Sequence, residues 1–423
     1  MELLVIAVFV IGYVAIALEH PIRVNKTASA LLTGVFCWTI YSFTGSETVG
    51  HDLSHHLGQI AEIIFFLLGA MTIVELVDAY HGFRIITDKI QTKNPVKLLW
   101  LICWVTFFLS SILDNLTTSI VMVSLIRKLI PNKDMRMFFA GMIVIAANAG
   151  GAWTPIGDVT TTMLWIGGQI TTVNIMEMIF LPSILCMLVP LVWLSFTLKG
   201  ELGEAEQDGQ EQESLPQGSL TMLFLGIGAL IFVPVFKTFT HLPPYLGMML
   251  GLGVIWVVSE MINPEADEAA RRPYSASGAL SRIDSSSILF FLGILLAVGA
   301  LESMHVLTAF ASWLDTTVGS QSVIVTLIGL LSAVIDNVPL VAASMGMYSL
   351  TDFPTDSFIW EYLAYCAGTG GSILIIGSAA GVAVMGMEKI DFIWYLKRVS
   401  LIAMLGYFAG AFTYLGLYQL MHP

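Results

Sequence analysis

Two aspartate–asparagine pairs stand in the middle of otherwise apolar segments of this 423-residue sequence. Asp114-Asn115 lies within residues 98–126, and Asp336-Asn337 lies within residues 323–350. A carboxylate, an amide carbonyl and unwound backbone carbonyls are the oxygen ligands that hard cations such as sodium prefer. Three hydroxyl side chains near the pairs could add ligands: Thr117, Thr118 and Ser332. Capping of the following helix is the alternative role for each pair.

Acidic side chains recur in the apolar runs, whereas lysine and arginine do not. These acids are Glu62, Glu75, Asp114, Asp158, Glu302 and Asp336. A charge at the bilayer centre costs about 2.5–3.5 kcal/mol, so such a residue usually faces a cavity and has a function. Carboxylates without a fixed cation predict a site for cations and protons, with sodium held by Asp114, Asp158 and Asp336. An anion carrier would instead show basic or neutral donors at helix N-termini.

The remaining three acids allow two interpretations. Glu62, Glu75 and Glu302 are either proton carriers or groups close enough to the membrane interface to be solvated. Nothing in their spacing separates these two roles.

Residues 148–161 cannot form an unbroken helix, because they contain three glycines and Pro155. Exposed backbone at membrane depth is tolerated only where it lines a cavity or is buried in protein. This predicts four further cation or proton ligands: Asn148, Asp158, Thr160 and Thr161. The corresponding stretch of the second half predicts three weaker candidates: Thr369, Ser372 and Ser378. Serine and threonine also simply pack between membrane helices, and that role stays open for these three.

The composition predicts an all-α polytopic membrane protein. Hydrophobic residues make up 56% of the chain and charged residues 12%, about half the share in soluble domains. Apolar runs near twenty residues can cross a hydrocarbon core of about 30 Å. Glu2 stands where a signal peptide would carry basic residues, so we expect the first run to be retained as a span. Much of the net charge of −13 lies in residues 201–213, which argues against nucleic-acid binding.

Features of the first half recur in the second half in the same order. Asp114-Asn115 matches Asp336-Asn337, and Gly150-Gly151 matches Gly370-Gly371, at offsets of 222 and 220 residues. Inverted repeats with discontinuous helices mark secondary transporters whose site lies near the midplane. The predicted organisation is a first inverted repeat at 1–198, an acidic cytoplasmic linker at 199–218 and a second inverted repeat at 219–423. Each repeat has five spanning helices, including one broken helix, and one re-entrant hairpin.

Basic residues should gather in cytoplasmic loops, which sets the topology. If residues 98–126 and 323–350 are re-entrant hairpins, 17 of the 18 basic residues are cytoplasmic and Lys237 alone is outside. If residues 98–126 crossed the membrane instead, the basic cluster at 127–136 would move outside. We therefore predict ten crossings, both termini outside the cytoplasm, a first hairpin that opens inward and a second that opens outward.

Three motifs give the sequence a resemblance to a known family. They are Leu113-Asp114-Asn115-Leu116-Thr117-Thr118, the stretch from Asn148 to Thr161, and Asp336-Asn337-Val338-Pro339. On these motifs the chain resembles the NhaD-type sodium/proton antiporters of the ion-transporter superfamily, which also includes dicarboxylate and arsenite carriers. The resemblance covers nearly the whole chain. It implies exchange of sodium or lithium for protons, and a homodimer of scaffold and transport domains that move by an elevator-like shift. It implies eight functional positions: Asp114, Asn148, Asp158, Thr160, Thr161, Ser332, Asp336 and Asn337.

The resulting hypothesis is a multi-pass antiporter of the bacterial inner membrane that needs no cofactor. Sodium and protons would compete for one carboxylate cluster, which can hold a proton near neutral pH because burial and like charge disfavour the ionised form. Its partners would be membrane lipid, the transported ions and a second copy of the chain, with no nucleic acid. The alternatives are an anion carrier for dicarboxylate, sulfate or arsenite, an intramembrane hydrolase that uses two carboxylates, and a passive channel.

Overall fold

The computed structural model describes residues 1–87, 92, 94–198, 215–262 and 272–421. Within these ranges, all regular secondary structure is helical, with 21 α-helices and one short 3₁₀ helix. The predicted acidic segment at 201–213 lies outside the described residues, as do four of the basic residues used for topology: Lys89, Lys93, Lys199 and Arg271.

The first half of the chain contains ten of the described helices. They are α1 (Glu2–Ala17), α2 (Glu19–Ile22), α3 (Lys26–Ser42), α4 (Val49–Ala79), α5 (Arg84–Thr87), α6 (Pro95–Ser110), α7 (Asn115–Leu129), α8 (Lys133–Ala152), α9 (Val159–Ile166) and α10 (Thr172–Thr197).

The second half contains eleven described helices and the 3₁₀ helix Arg272–Tyr274. The α-helices are α11 (Ser219–Thr240), α12 (Pro244–Ile262), α13 (Ala276–Arg282), α14 (Ser285–Ser303), α15 (Val306–Val318), α16 (Gln321–Leu331), α17 (Asn337–Met347), α18 (Phe358–Gly370), α19 (Ala379–Glu388), α20 (Phe392–Arg398) and α21 (Ser400–Met421).

Seven of the described helices are long and apolar enough to cross a membrane: α4, α8, α10, α11, α12, α14 and α21. The pair α15 and α16, bent by 116°, would add an eighth span if it crosses as one unit. The chain is therefore an integral, multi-pass, all-α membrane protein, as the composition predicts. The larger number of ten crossings stays a prediction.

Both predicted hairpins consist of two helices separated by a short break. Helices α6 and α7 are separated by residues 111–114, and α16 and α17 are separated by residues 332–336. Helix α6 begins at Asn94, whose side chain accepts a hydrogen bond from the backbone N–H of Lys97 at 3.0 Å, and Pro95 follows at the first helical position. Asp114 caps the N-terminus of α7, and Asp336 caps that of α17, so the second helix of each hairpin starts with an aspartate cap.

Close packing between α10 and α21 connects the two halves away from these breaks. A Cβ atom on Gly406 would lie 2.2 Å from the carbonyl oxygen of Cys186, and one on Gly410 would lie 2.5 Å from that of Pro182. Only a residue without a side chain permits such an approach of two helix backbones. The free cysteines Cys37, Cys103, Cys186 and Cys366 are all buried, in agreement with a packing role.

A buried ion triad also joins the halves. The carboxylate of Glu388, at the end of α19, accepts hydrogen bonds from Nε of Arg127 and from Nε of Arg136, both at 2.6 Å. The Glu388 side chain is fully buried, whereas the Arg127 side chain is 45% exposed. Because Arg127 lies in the last turn of α7 and Arg136 in the first turn of α8, the triad connects α19 to both of these helices.

Candidate functional site

Asp158 is the central carboxylate of the site, at the break between α8 and α9. It is buried and caps α9, because its Oδ1 accepts hydrogen bonds from the backbone N–H of Thr160 at 2.8 Å and from the Thr160 hydroxyl at 2.7 Å. Its Oδ2 accepts a hydrogen bond from Nδ2 of Asn115 at 2.6 Å. These three hydrogen bonds replace the hydration that the carboxylate loses on burial, and an ionised acid can be buried only where such bonds are made.

A chain of hydrogen bonds leads from Asp158 into the second half. Asn115 Nδ2 also donates to Oδ1 of Asn148 at 3.0 Å, and Nδ2 of Asn148 donates to the hydroxyls of Ser372 and Ser378, each at 3.0 Å. All of these side chains are buried. Together with Thr160, which donates to Asp158, six residues that the sequence predicts as ligands thus form one continuous polar network.

The hairpin-tip aspartates flank this network. The charges of Asp114 and Asp336 both act on Asp158. Asp114 caps α7 and accepts hydrogen bonds from the backbone N–H and the hydroxyl of Thr117, at 2.7 and 2.6 Å. Asp336 caps α17 and accepts a hydrogen bond from the backbone N–H of Val338 at 3.3 Å. Both aspartates therefore fulfil the capping role that was the alternative interpretation, and capping leaves oxygen lone pairs for a further ligand.

The three aspartates do not converge on one point in this conformation. Among the described residues, no group of three or more histidine, cysteine, aspartate or glutamate side chains has the geometry to hold a metal ion. Each carboxylate turns to a donor of its own, which is the Thr117 hydroxyl for Asp114, the Asn115 amide for Asp158 and the Lys26 ammonium for Asp336. Coordination of one sodium by all three aspartates stays a prediction.

Lys26 corrects the expectation that the carboxylates lack a fixed cation. Its Nζ lies 3.4 Å from Oδ2 of Asp336, and the two side chains are 26% and 16% exposed. The sequence places Lys26 in a loop, 310 residues away from Asp336. Because the contact depends on how α3 packs on α14 and how α14 packs on α17, the local sequence carries no sign of it.

The other predicted hydroxyl ligands are buried, and most of them bind backbone. Ser332 donates to the carbonyl oxygen of Ala367 at 2.9 Å, Thr369 to that of Tyr365 at 2.7 Å, and Thr161 to that of Asp158 at 2.9 Å. Thr118 differs, because in the described part of the chain no partner lies within hydrogen-bond reach of its buried hydroxyl. Asn337, which follows the second hairpin tip, is also buried.

Equivalent contacts surround the breaks in both halves. Ser110 donates to the carbonyl oxygen of Ala147 at 2.7 Å, which is the counterpart of the contact between Ser332 and Ala367. A Cβ atom on Gly150 would lie 2.2 Å from the carbonyl oxygen of Phe107, and one on Gly370 would lie 2.0 Å from that of Gly329. The paired glycines thus let each hairpin approach the backbone of the neighbouring broken helix.

The site is nevertheless asymmetric in chemistry. Ser378 occupies the position that corresponds to Asp158, and it caps α19 by accepting a hydrogen bond from the backbone N–H of Gly381 at 3.2 Å. Gly368 occupies the position that corresponds to Asn148. The first half therefore supplies the central charge and the amides, while the second half supplies hydroxyl groups.

The three remaining predicted acids lie outside this network. Glu75 forms an ion pair with Arg282, with Nε 2.6 Å from Oε1, and the two side chains are 29% and 38% exposed. The charge of Glu62 acts on Lys237, whose Nζ donates to the carbonyl oxygen of Trp165 at 2.7 Å. Glu302 is exposed at the end of α14. Their assignment as proton carriers stays a prediction.

Sequence reasoning missed two buried carboxylates. Glu361 accepts hydrogen bonds from Nδ2 of Asn174 and from the Tyr414 hydroxyl, the latter at 2.6 Å. Its position inside an apolar run, Phe358–Gly370, is the same signal that marked the other acids and could have revealed it. Glu388 lies next to Lys389 at a helix end, where a solvated charge is the ordinary expectation, so no local signal marks it.

Comparison with known proteins gives concordant results. A family model described as citrate transporter (CitMHS) matches residues 13–368. Sodium/proton antiporter 1 of Arabidopsis thaliana is 53% identical over 418 residues, which cover 97% of this chain and 72% of that protein. Sodium/proton antiporter 2 of the same plant is 48% identical over 97% of this chain and 98% of its own length. The Na(+)/H(+) antiporter NhaD of Vibrio cholerae is 32% identical over 95% of this chain and 88% of its own length.

Proposed function

Because this chain belongs to the citrate transporter (CitMHS) family and is a relative of the NhaD sodium/proton antiporters within it, we propose that it exchanges sodium or lithium for protons by alternating access. The family consists of transporters, so the chain is a transporter rather than an enzyme, as the sequence predicts. The resemblance to NhaD-type proteins inferred from the three motifs is confirmed by the same relatives. The observation that carries the proposal is the buried carboxylate of Asp158 at the centre of a polar network.

Exchange follows from the chemistry of this one carboxylate. The negative charge of buried Asp158 is neutralised either by a sodium ion or by a proton. Binding of one lowers the affinity for the other, because a protonated carboxyl group no longer attracts a cation. The side-chain carbonyl of Asn148 and the Thr118 hydroxyl, which is unpartnered among the described residues, would supply oxygen ligands for a desolvated sodium. Asp114 and Asp336 would attract the cation towards this centre from either side. No cofactor is needed for such a cycle.

The proposed architecture is a pair of inverted repeats, at 1–198 and 219–423, joined by the linker 199–218. The equivalent contacts made by Ser110 and Ser332 support the repeat, as do those made by Gly150 and Gly370. Ten crossings result if α1, α3 and the broken pair α18–α19 span together with the seven long helices. The two hairpins would then re-enter from opposite sides and meet near the midplane.

The proposed setting is the inner membrane of a bacterium, where the chain would form a homodimer with both termini outside the cytoplasm. The NhaD relatives come from bacteria, among them Vibrio cholerae and Alkalimonas amylolytica. The charge rule would assign Arg127, Arg136 and Arg282 to the cytoplasmic side, which is what the proposed orientation requires. Reporter fusions at the C-terminus would test the orientation, and cross-linking in native membranes would test the dimer.

Proton movement in proteoliposomes tests the proposed activity. We expect that sodium added outside vesicles loaded with acid drives proton efflux, and that Asp158→Asn abolishes it because the neutral amide cannot take up and release a proton. Asp352→Asn removes an exposed carboxylate from a loop and is the matched control, with exchange as in the wild-type protein. Full exchange by Asp158→Asn would remove Asp158 from the mechanism.

Competition between the two ions gives a second test of the same proposal. If proton and sodium share Asp158, acidification raises the sodium concentration for half-maximal exchange and leaves the maximal rate at saturating sodium unchanged. Below the pH at which the site titrates, a tenfold rise in proton concentration should raise that sodium concentration about tenfold. A sodium dependence that is independent of pH would contradict a shared site.

An anion carrier is the second candidate function, because the matched family model is described as a citrate transporter. The site described above argues for cations, since its central charge is negative and its amides already serve Asp158 and the serines. Uptake of labelled citrate and succinate into sodium-loaded and sodium-free vesicles distinguishes the two candidates. We expect no uptake above empty vesicles in either case.

A further inference from the structure

A cavity of about 360 Å³ opens beside the second hairpin tip. Its wall includes Tyr13, Glu19 and Lys26 from the first three helices and Asp336 from the break before α17. At about 30 Å³ for each water molecule, the cavity has room for on the order of ten waters, which is enough for a hydrated ion. The Asp336 carboxylate therefore has space beside it for a hydrated ion.

The charges around this cavity are unequal. Among the described residues of its wall, Lys26 is the one basic side chain, while Glu19 and Asp336 are acidic. The Lys26 ammonium lies 3.4 Å from Oδ2 of Asp336, and it also lies 4.7 Å from the centre of the Phe290 ring. An aromatic face attracts a cation, so Phe290 holds the ammonium beside the carboxylate. Lys26 thus already occupies the place where an incoming cation would meet Asp336.

Tyr13 offers a further oxygen in the same cavity. Its hydroxyl is buried, and no hydrogen-bond partner for it lies within the part of the chain that the structure describes. Tyr13 and Asp336 line the same cavity. A small cation that replaced the ammonium would find both a carboxylate and a hydroxyl oxygen as ligands.

We propose that Lys26 is a tethered cation that competes with the transported sodium for Asp336 and thereby sets the affinity of the antiporter for sodium. This inference rests on the proposed sodium/proton exchange. The distance of 3.4 Å exceeds the roughly 2.7–2.9 Å of a charge-assisted hydrogen bond, and both side chains are partly exposed, so the pair is weaker than a close, buried ion pair. Sodium that reaches Asp336 displaces the ammonium, which remains attached to α3 and returns when the ion moves on. Lys26 is therefore a determinant of ion affinity rather than a permanent part of the ion's coordination shell.

Replacement of the lysine should change the sodium affinity in a direction set by charge. Lys26→Gln removes the competing charge, and it should lower the sodium concentration for half-maximal exchange by about two- to fivefold, the range for a partly exposed ion pair. Lys26→Arg keeps the charge and adds a planar fork that grips a carboxylate more firmly, so this sodium concentration should stay the same or rise. The maximal rate should fall by less than about twofold in Lys26→Gln. Lys97→Gln, which removes an exposed lysine at the start of α6, is the matched control and should change neither quantity.

Chemical restoration of the charge tests the inference within one protein preparation. In Lys26→Cys, a thiol reagent that attaches an aminoethyl group rebuilds an ammonium at this position, whereas one that attaches a sulfonatoethyl group adds a negative charge. The four native cysteines are buried, so the introduced thiol is the preferred target. The aminoethyl reagent should raise the half-maximal sodium concentration back towards the wild-type value, and the sulfonatoethyl reagent should not. A variant that loses stability through the missing lysine would show no such dependence on the sign of the added charge.

The two proposals fail in different ways. Wild-type protein that moves no protons in response to sodium would overturn the proposed exchange itself. Wild-type protein that exchanges normally, together with Lys26→Gln and fully labelled Lys26→Cys that keep the wild-type sodium dependence, would overturn the role of Lys26 alone. A rise in the half-maximal sodium concentration of Lys26→Gln would do so as well, because a competitor cannot increase affinity by its presence.

Discussion

Nδ2 of Asn115 lies 2.6 Å from Oδ2 of Asp158, and this hydrogen bond joins the tip of the first hairpin to the start of α9. Both residues are buried, and the same amide nitrogen also reaches Asn148 at 3.0 Å. The bond stabilises the ionised carboxylate, because an amide N–H can donate to it whether or not a cation is present. Asn115 therefore helps to decide how strongly Asp158 prefers sodium to a proton.

Removal of the Asn115 amide should weaken sodium binding. In Asn115→Leu the carboxylate loses a donor, so its protonated form is favoured and sodium competes less well. A hydrogen bond to a charged group contributes about 1.5–3 kcal/mol, so the half-maximal sodium concentration near neutral pH should rise about tenfold or more. Sodium-driven proton flux in proteoliposomes measures the change.

The matched control for this variant is Asn94→Leu. Asn94 is an exposed asparagine whose amide oxygen caps α6, far from the carboxylates in sequence and in contacts. Its loss should cost about 1 kcal/mol of stability and leave the sodium dependence unchanged. An unaltered sodium dependence in Asn115→Leu would show that the Asn115 amide does not act on the transported ion.

The serine pair on Asn148 should behave non-additively. In Ser372→Ala the Asn148 amide keeps Ser378 as an acceptor, so the loss should be about 1 kcal/mol. Ser378→Ala should cost slightly more, because Ser378 also caps α19. The double variant leaves both N–H groups of the buried Asn148 amide without an acceptor, so the amide can no longer turn towards a remaining hydroxyl, and it should lose about 1–2 kcal/mol beyond the sum of the single losses.

Thermal unfolding of the purified protein in detergent measures this coupling as a double-mutant cycle. Simple additivity would mean that another acceptor takes over, or that the two hydroxyls do not share the Asn148 amide.

The Glu388 triad should be a structural connection between the halves. Glu388→Ala leaves the guanidinium groups of Arg127 and Arg136 without their carboxylate, and Arg136 is largely buried. Breaking a buried pair from one side costs about 3 kcal/mol, so the unfolding temperature should fall by several degrees. Glu177→Ala, at an exposed acid of α10, should leave it unchanged. An equal unfolding temperature in both variants would place the triad outside the stabilising contacts.

The paired glycines should be intolerant of a methyl group in both halves. Ala at position 150 or 370 would place Cβ about 2 Å from a backbone carbonyl oxygen, which the neighbouring hairpin can relieve only by moving away. Overpacking of this kind costs about 1–3 kcal/mol. Gly416→Ala in α21 meets no atom of the described residues within 4 Å and should instead stabilise the helix by about 0.5–1 kcal/mol.

Unfolding temperature and the yield of folded protein measure this contrast. If Gly150→Ala or Gly370→Ala matched Gly416→Ala in yield and stability, the close approach of the two backbones would not be required.

Much of the architecture follows from the residue types of local segments. Apolar runs near twenty residues predict membrane helices because unpaired backbone groups are too costly in lipid. Capping of the following helix is the alternative role for Asp114 and Asp336, because a carboxylate accepts the first free N–H groups, and both residues do cap a helix in the structure. The repeated glycines at 150 and 370 marked equivalent breaks, because only glycine allows two backbones to touch there.

Contacts between distant segments could not be read in the same way. The ion pair of Lys26 with Asp336 spans 310 residues, and the bond between Asn148 and Ser378 spans 230 residues. Nothing near Lys26 in the chain distinguishes it from the other basic residues of the loops, and nothing near Glu388 predicts two arginine partners. Each of these partners is selected by the packing of whole helices, which depends on the combined shape and polarity of many side chains. The residue types thus predict a cation site, whereas the packing decides that Asp158 receives amide and hydroxyl donors and that Asp336 pairs with an ammonium group.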